Sequence, residues 1–173
     1  MDDPRIIILS GEVNEQTAMD VIVRLMDFDN DDHTKEISLY INSPGGNIDY
    51  GLAIYDVIKH IQAPVSTVCF GMAASMGAFL LSCGEPGRRF ALPHSRVLIH
   101  QPLVTTRTGS YKTETAMRKI AESIRNSRDE LERIIAHNVC KTPEAVHADC
   151  ERDNWMSAQQ AKDYGIIDDI LCL

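Results

Sequence analysis

The chain has 173 residues, 44% of them hydrophobic and 24% charged, with a formal net charge of −8. This length and composition predict one domain, residues 1–173, with a substantial core. The acidic balance argues against nucleic-acid binding, and no apolar stretch is long enough to span a membrane.

The cysteines and histidines give little support to a disulfide framework or a metal site. The five cysteines are odd in number and lack Cys-x-x-Cys spacing, which is typical of free thiols in a reducing compartment. Acidic residues follow Met1 where an export signal would carry bases, so we expect a cytoplasmic protein. The six histidines form no His-x-x-x-His pair, and we expect no metal site.

The first part of the chain alternates between strand and helix patterns. Residues 5–10 predict a short apolar strand, and Asn14 is placed to cap an amphipathic helix. The acidic residues 27–35 predict a surface loop. The next strand, residues 36–42, alternates apolar and polar positions. The apolar side of the first helix carries Ala18, Val21, Ile22, Leu25 and Met26.

A dense turn signal at residues 42–47 separates that strand from a second helix. Pro64 ends this helix, and residues 65–70 follow as a strand. Strands and helices in alternation favour βαβ units and a parallel sheet, so the predicted fold class is α/β. The second helix has four apolar side chains near helical spacing: Ile48, Leu52, Tyr55 and Ile58.

The rest of the chain combines short strands with one long polar helix. Residues 89–92 and 96–100 predict two strands, and residues 166–168 predict the last one. A helix over residues 110–138 has few apolar residues for its length, so we expect it to project and to contact another subunit. Two shorter helices follow it along the chain.

The residues around Ser75 have the pattern of a nucleophile on a tight turn. A strand-like run precedes Ser75, small residues dominate positions 71–78, and three apolar residues follow. Strand, small-residue turn and helix are the layout of a serine nucleophile elbow, in which small neighbours allow a sharp bend. The spacing is not Gly-x-Ser-x-Gly, and by itself the pattern fits a buried helix start capped by Ser75 better.

Two further positions supply candidates for a base and an orienting acid. His100 ends an apolar strand just before Pro102, where an imidazole can face a cleft; an ordinary strand-end histidine has the same pattern. Asp153 precedes the apolar pair Trp155-Met156, but the chain has 25 acidic residues and composition does not select one.

The turn at residues 43–46 is a candidate oxyanion hole. It follows a strand and opens a helix, so the amides of Gly45 and Gly46 lie where negative charge is favoured. Phosphate binding is a rival use of the turn, but the Gly-Lys-Ser/Thr of a P-loop is absent. The amide of Met76, directly after Ser75, is the natural second donor.

The motifs of this chain, taken in order, resemble those of ClpP, the proteolytic subunit family of the Clp protease. The resemblance implies a ClpP/crotonase-like α/β fold of repeated ββα units. It also implies a head of about residues 1–103 and 150–173 and a handle of about residues 104–149. The motifs that carry it span nearly the whole chain: residues 41–46, 71–81, 99–102, 151–158 and 164–165.

The resemblance implies a serine endopeptidase with Ser75 as nucleophile, His100 as general base and Asp153 as the orienting acid. It implies the amides of Gly46 and Met76 as the oxyanion hole, and no cofactor in this subunit. Family members form heptameric rings stacked as a tetradecamer that encloses the active sites. An AAA+ unfoldase of the ClpX, ClpA or ClpC type uses ATP to feed unfolded polypeptide into that chamber.

Three departures from the family pattern suggest a divergent paralogue. The chain begins almost at its first strand, which predicts a very short axial loop. Ser38 and His60 occupy positions where aromatic residues of the unfoldase-docking pocket are expected, although Tyr40 is kept. Val104-Thr105 replaces a Gly-Gly pair in the groove and ring-contact region. We therefore hypothesise a mixed assembly in which a second ClpP-type subunit completes the particle.

Two other functions compete with an independently active protease. One is a weakly active or structural paralogue subunit, against which all three filled triad positions argue. The other, more remote, is a crotonase-like acyl-CoA enzyme. It would use the same type of oxyanion turn, but it would not need Ser75, His100 and Asp153 together.

Overall fold

The computed structural model describes residues 5–103 and 113–171. It consists of one mixed sheet with helices packed on it. The strands are β1 (Ile6–Ser10), β2 (Ile37–Ser43), β3 (Val65–Ala74), β4 (Arg89–Ala91), β5 (Arg96–Ile99), β6 (Asn154–Ser157) and β7 (Asp169–Ile170). The helices are α1 (Glu15–Asp31), α2 (Ile48–His60), α3 (Met76–Ser82), α4 (Glu114–Asn138), α5 (Pro143–Cys150) and α6 (Ala158–Tyr164). The predicted α/β class is confirmed.

The sheet branches at β3, the longest strand. Its main path runs β1-β2-β3-β4-β7, with every neighbouring pair parallel. The first part of β3 pairs with β4, and its last residues pair with β5, in the register Ala74↔Leu98. The carboxyl ends of β3 and β5 therefore lie side by side, and ligand sites in α/β sheets occur at such ends.

A bulge lets β3 continue four residues beyond its predicted end at residue 70. The register with β2 shifts from Ile41↔Cys69 to Ser43↔Ala73. At the shift Gly71 has a positive φ of 80°, and the amide of Met72 donates to the Asn42 side chain at 3.2 Å. Bulges of this kind bend a strand and re-aim the residues beyond it, so β3 ends close to the turn that follows β2.

The core lies against one face of β2 and on both faces of the first half of β3. The predicted apolar face of β2 is confirmed, because Ile37, Leu39 and Ile41 are fully buried. All seven residues of α3 are buried as well. The short helix that follows β3 is therefore fixed on every side, which restricts the backbone at its first residue.

Helix α1 starts as predicted and ends later than predicted. The Asn14 side chain accepts from the amide of Thr17, which caps the helix. The helix runs to Asp31, so the loop predicted from residue 27 is wrong there. Phe28, one turn beyond the buried Leu25, packs against the core and extends the apolar stripe. Met26 lies outside this stripe and is exposed.

Helix α4 agrees with the predicted projecting helix. It begins at Glu114 with Thr113 as its cap, and the predicted residues 110–112 lie outside the described residues. Its C-terminal part packs on the core through Leu131 and Ile135, whereas Met117 near its start is 62% exposed. No helix in the described ranges is long and apolar enough to cross a membrane.

The segment after α6 is held by an ion pair and by a strand that begins later than predicted. Ile166 and Ile167 are buried, but the last strand is β7, so the strand predicted at residues 166–168 is displaced. The Asp168 carboxylate accepts hydrogen bonds from the Arg89 Nε at 2.9 Å and Nη2 at 2.5 Å. This bidentate ion pair links the segment before β7 to β4.

Candidate active site

Ser75 occupies the single position between β3 and α3. Its backbone has φ 55° and ψ −121°, a region that residues with side chains rarely adopt. Hydrogen bonds on both sides hold it there, from the Ser75 amide to the Leu98 carbonyl and from the Phe79 amide to the Ser75 carbonyl. The Ser75 hydroxyl does not cap α3. The strained turn thus presents a free hydroxyl, as a nucleophile elbow does.

The turn after β2 packs directly on this elbow. A Cβ built on Gly45 would lie 2.6 Å from the Ser75 Cβ and 2.7 Å from the Ala74 carbonyl oxygen. Gly45 also has a positive φ of 95°. Both observations require glycine at this position. The absence of a side chain brings the residue-43–46 turn and the elbow into contact.

Two backbone amides beside Ser75 are left without acceptors. The Gly45 carbonyl accepts from the Val13 amide and the Asn47 amide donates to the Val13 carbonyl, both at 2.8 Å, which fixes the orientation of Gly46 between them. Among the described residues, no acceptor lies within hydrogen-bond distance of the Gly46 or Met76 amide. Both N–H groups are free to bind an anionic oxygen.

Strand β6 brings Asp153 to His100. It runs antiparallel to β5 and ends the ladder at Ile99↔Asn154, so the next residue on each side is His100 and Asp153. The His100 Nδ1 lies 3.3 Å from the Asp153 Oδ1. The His100 side chain is 10% exposed and the Asp153 side chain 66%. The sequence interpretation missed β6, although its position after β5 is what selects Asp153 among the acids.

Ser75 and His100 face two connected spaces. One is an open groove of about 570 Å³ that also touches Gly46 and Pro102. The other is a smaller recess of about 40 Å³, lined largely by apolar side chains such as Phe79. No hydrogen bond joins the Ser75 hydroxyl to His100 in the described part of the chain.

Cys150 also lines the recess, but it is a poor nucleophile. Burial raises the pKa of its thiol to about 12, and the nearby Glu132 carboxylate acts in the same direction. Of the Ser75 and Cys150 side chains, Ser75 is therefore the better candidate nucleophile. Within residues 5–103 and 113–171, no cluster of three or more histidine, cysteine or acidic side chains is arranged to hold a metal ion.

Comparison with known proteins assigns the family. The family model described as Clp protease matches residues 1–172. This chain belongs to the Clp protease family. It is 47% identical, over 96% of its length and 84% of the relative's, to the ATP-dependent Clp protease proteolytic subunit of Streptococcus pneumoniae strain Hungary19A-6. The proteins of the same description from strains CGSP14 and TIGR4 match with the same identity and coverage.

Membership of the Clp protease family confirms the resemblance found in the sequence motifs. The structure brings the adjacent pair Ser75-Met76 together with His100, Asp153 and Gly46, which lie on three other segments of the sequence. The five other histidines are exposed, as expected for surface positions: His33, His60, His94, His137 and His147. The Val104-Thr105 departure lies outside the described residues.

Proposed function

We propose that this chain is a serine endopeptidase that hydrolyses peptide bonds of unfolded proteins. The observation that carries the proposal is the strained turn of Ser75, which points a free hydroxyl into the groove that His100 also lines. The names of the relatives, each a Clp protease proteolytic subunit, support the same activity.

The proposal gives a role to each side chain. His100 directs Nδ1 at Asp153, which leaves Nε2 to accept the proton of the Ser75 hydroxyl. The Ser75 Oγ then attacks the peptide carbonyl, and His100 passes the proton to the leaving amine as the acyl-enzyme forms. Water, deprotonated by His100, hydrolyses the ester and restores the Ser75 hydroxyl. Asp153 orients His100 and stabilises the imidazolium.

The free amides of Gly46 and Met76 supply the oxyanion hole in this proposal. Charge develops on the carbonyl oxygen during both attacks, and preformed N–H donors stabilise it without reorganisation. These steps need no cofactor in this subunit. In the described residues no hydrogen bond joins the Ser75 hydroxyl to His100. Catalytic hydrogen bonds of this kind often tighten only when substrate binds.

We further propose that the subunit works in a cytoplasmic particle of two stacked heptameric rings, with an AAA+ unfoldase of the ClpX, ClpA or ClpC type. The exposed first half of α4, with Met117 at its start, supports a contact between subunits there. The departures at Ser38, His60 and Val104-Thr105 keep a second ClpP-type subunit as the alternative. A fourteen-subunit particle that degrades protein without a second subunit would exclude the mixed assembly.

Turnover of a fluorogenic peptide by three variants tests the activity. Ser75→Ala should remove nearly all turnover, and His100→Ala should cost about as much because triad members act as a unit. Asp153→Ala should cost less, because its role is to orient. Ser10→Ala changes an exposed serine outside the groove and should leave turnover unchanged.

Covalent labelling provides an independent readout. A fluorophosphonate should label wild type at Ser75 and should not label Ser75→Ala. Turnover that persists in Ser75→Ala would favour the crotonase-like alternative. Failure to label Ser75 in any assembly state would favour a structural subunit.

A further inference from the structure

Arg128 on α4 is a mostly buried cation bonded to two other segments. Its side chain is 15% exposed. Nε donates to the Glu132 carboxylate at 2.6 Å, Nη1 to the Gln101 Oε1 at 3.3 Å, and Nη2 to the Glu151 carboxylate at 2.8 Å. Nη2 also lies 3.4 Å from the His147 carbonyl oxygen. One guanidinium thus joins the segment after β5, helix α5 and the residue that caps α5.

The groups that Arg128 holds are next to His100 and Asp153. Gln101 directly follows His100, and Glu151 lies two residues before Asp153. The two segments also bond to each other. The Gln101 amide donates to the Cys150 carbonyl at 2.8 Å, and the Gln101 side chain donates to the Glu151 carbonyl at 3.1 Å.

The Asp153 side chain has little support of its own. It is 66% exposed, and His100 is its one side-chain partner among the described residues. Its position is therefore set by its backbone. The β5–β6 ladder holds that backbone on one side through Ile99↔Asn154. On the other side, Gln101 holds the Asp153 backbone through its hydrogen bonds to residues 150–151. Arg128 fixes these contacts.

A buried carboxylate fixes Arg128 in turn. Glu132 is 6% exposed, and its second oxygen lies 2.8 Å from the His147 Nδ1. Both oxygens of Glu132 thus have partners, as a buried charge requires. Arg128 and Glu132 also line the recess beside Ser75 and His100. A lysine in place of Arg128 could not reach all these acceptors, because it lacks the planar fork of the guanidinium.

We propose that Arg128 is a positioning residue for hydrolysis: its guanidinium sets the spacing between the segment of His100 and the segment of Asp153. Arg128 contacts neither Ser75 nor the two free amides in the described structure, so it acts through His100 and Asp153. The proposal rests on the serine endopeptidase function proposed above.

The test measures kcat and KM of the full-length protein on a fluorogenic peptide. In Arg128→Ala we expect kcat to fall on the order of 100-fold, since misplacement of a catalytic group by about 1 Å has this effect. KM should change less than kcat, because Arg128 does not line the groove and the Gly46 amide is untouched. Millimolar guanidinium or ethylguanidinium should restore much of the lost kcat in Arg128→Ala and should not activate wild type. Arg133→Ala removes an exposed arginine from the same helix and should behave as wild type.

A second pair of variants separates positioning from folding and assembly. Arg128→Ala leaves Glu132 buried without its cation, which can destabilise the helix pair. Arg128→Met/Glu132→Leu removes both charges with apolar side chains, so it should keep the wild-type mass in solution and the wild-type urea midpoint. Its kcat should still be low. Arg128→Lys should show an intermediate loss.

Wild-type kcat in Arg128→Met/Glu132→Leu would overturn the proposal, as would a loss in Arg128→Ala that guanidinium does not reverse. These outcomes can be distinguished from failure of the proposed endopeptidase function. If wild type itself has no peptidase activity that depends on Ser75, the endopeptidase assignment fails. If wild type is active and the Arg128 variants match it, only the role of Arg128 fails.

Discussion

Gly45→Ala should disable the site without removing any functional side chain. The new Cβ would lie 2.6 Å from the Ser75 Cβ, 2.7 Å from the Ala74 carbonyl oxygen and 3.0 Å from the Met76 amide nitrogen. Two of these three atoms belong to the backbone of the elbow, which the buried α3 prevents from moving. The turn that carries Gly46 must therefore move away from Ser75.

The size of the effect follows from two contributions. Alanine at φ 95° costs about 1–2 kcal/mol of stability, because left-handed backbone crowds the Cβ. Displacement of the Gly46 amide removes one oxyanion donor, and loss of one donor typically lowers kcat by about 10²–10³-fold, or about 2.7–4 kcal/mol. We expect kcat to fall within this range while KM changes little.

Gly87→Ala is the matched control. Gly87 has a similar φ of 83°, but a Cβ there would have no neighbour within 4 Å. Urea unfolding should show that both variants lose a similar amount of stability to the strained backbone. Only Gly45→Ala should lose peptidase activity. Wild-type kcat in a folded Gly45→Ala protein would refute the assignment of Gly46 to the oxyanion hole. An equal loss of kcat in both variants would show that backbone strain alone accounts for it.

Two further predictions concern thiol reactivity and acid stability. Timed alkylation at about pH 8, read by mass spectrometry, should modify the exposed Cys140 before the buried Cys69, Cys83 and Cys150, because thiolates are the reactive form. Rapid labelling of the three buried cysteines would contradict their raised pKa values, about 11 for Cys69 and about 12 for Cys83 and Cys150, to which burial is the largest contributor. Burial of Asp168 raises the pKa of its carboxyl, but the hydrogen bonds and charge of Arg89 outweigh this and hold the pKa below its ordinary value of 3.8. The ion pair therefore stabilises the fold above that ordinary value, and the contribution is lost as the pH falls through the lowered pKa. Asp168→Ala should cost on the order of 3 kcal/mol near neutral pH in urea unfolding. If the difference in unfolding free energy between wild type and Asp168→Ala did not become smaller in acid, the ion pair would not be its cause.

Local sequence patterns were sufficient where a residue's environment is set by its near neighbours. The alternation of Ile37, Leu39 and Ile41 predicted a strand with one buried face, and Asn14 predicted the start of α1. The small residues around Ser75 permit the tight bend of an elbow, although by themselves they fitted a capped helix start better. In each case the physical cause, a period of two, a cap or a tight bend, acts over a few residues.

Contacts between distant segments could not be predicted in this way. Strand β6 has four residues with polar ends, and its partner β5 lies more than fifty residues earlier in the chain. Nothing local indicates that pairing, yet it decides which of the acidic residues reaches His100. The end of α1 was misplaced for a related reason. Residues 27–31 are mostly acidic, and Phe28 keeps them helical by packing on the core.

The two halves of the site rest on parts of the fold with different local stability. Ser75 is fixed between a central strand and a helix with every residue buried, so its turn opens only when the sheet does. Asp153 lies on an exposed segment whose support is polar, through hydrogen bonds and ion pairs that water and salt can replace. Partial unfolding, by warming or by dilute denaturant, should therefore separate the general base from its carboxylate first. The protein would then lose turnover while Ser75 still holds its strained, accessible conformation.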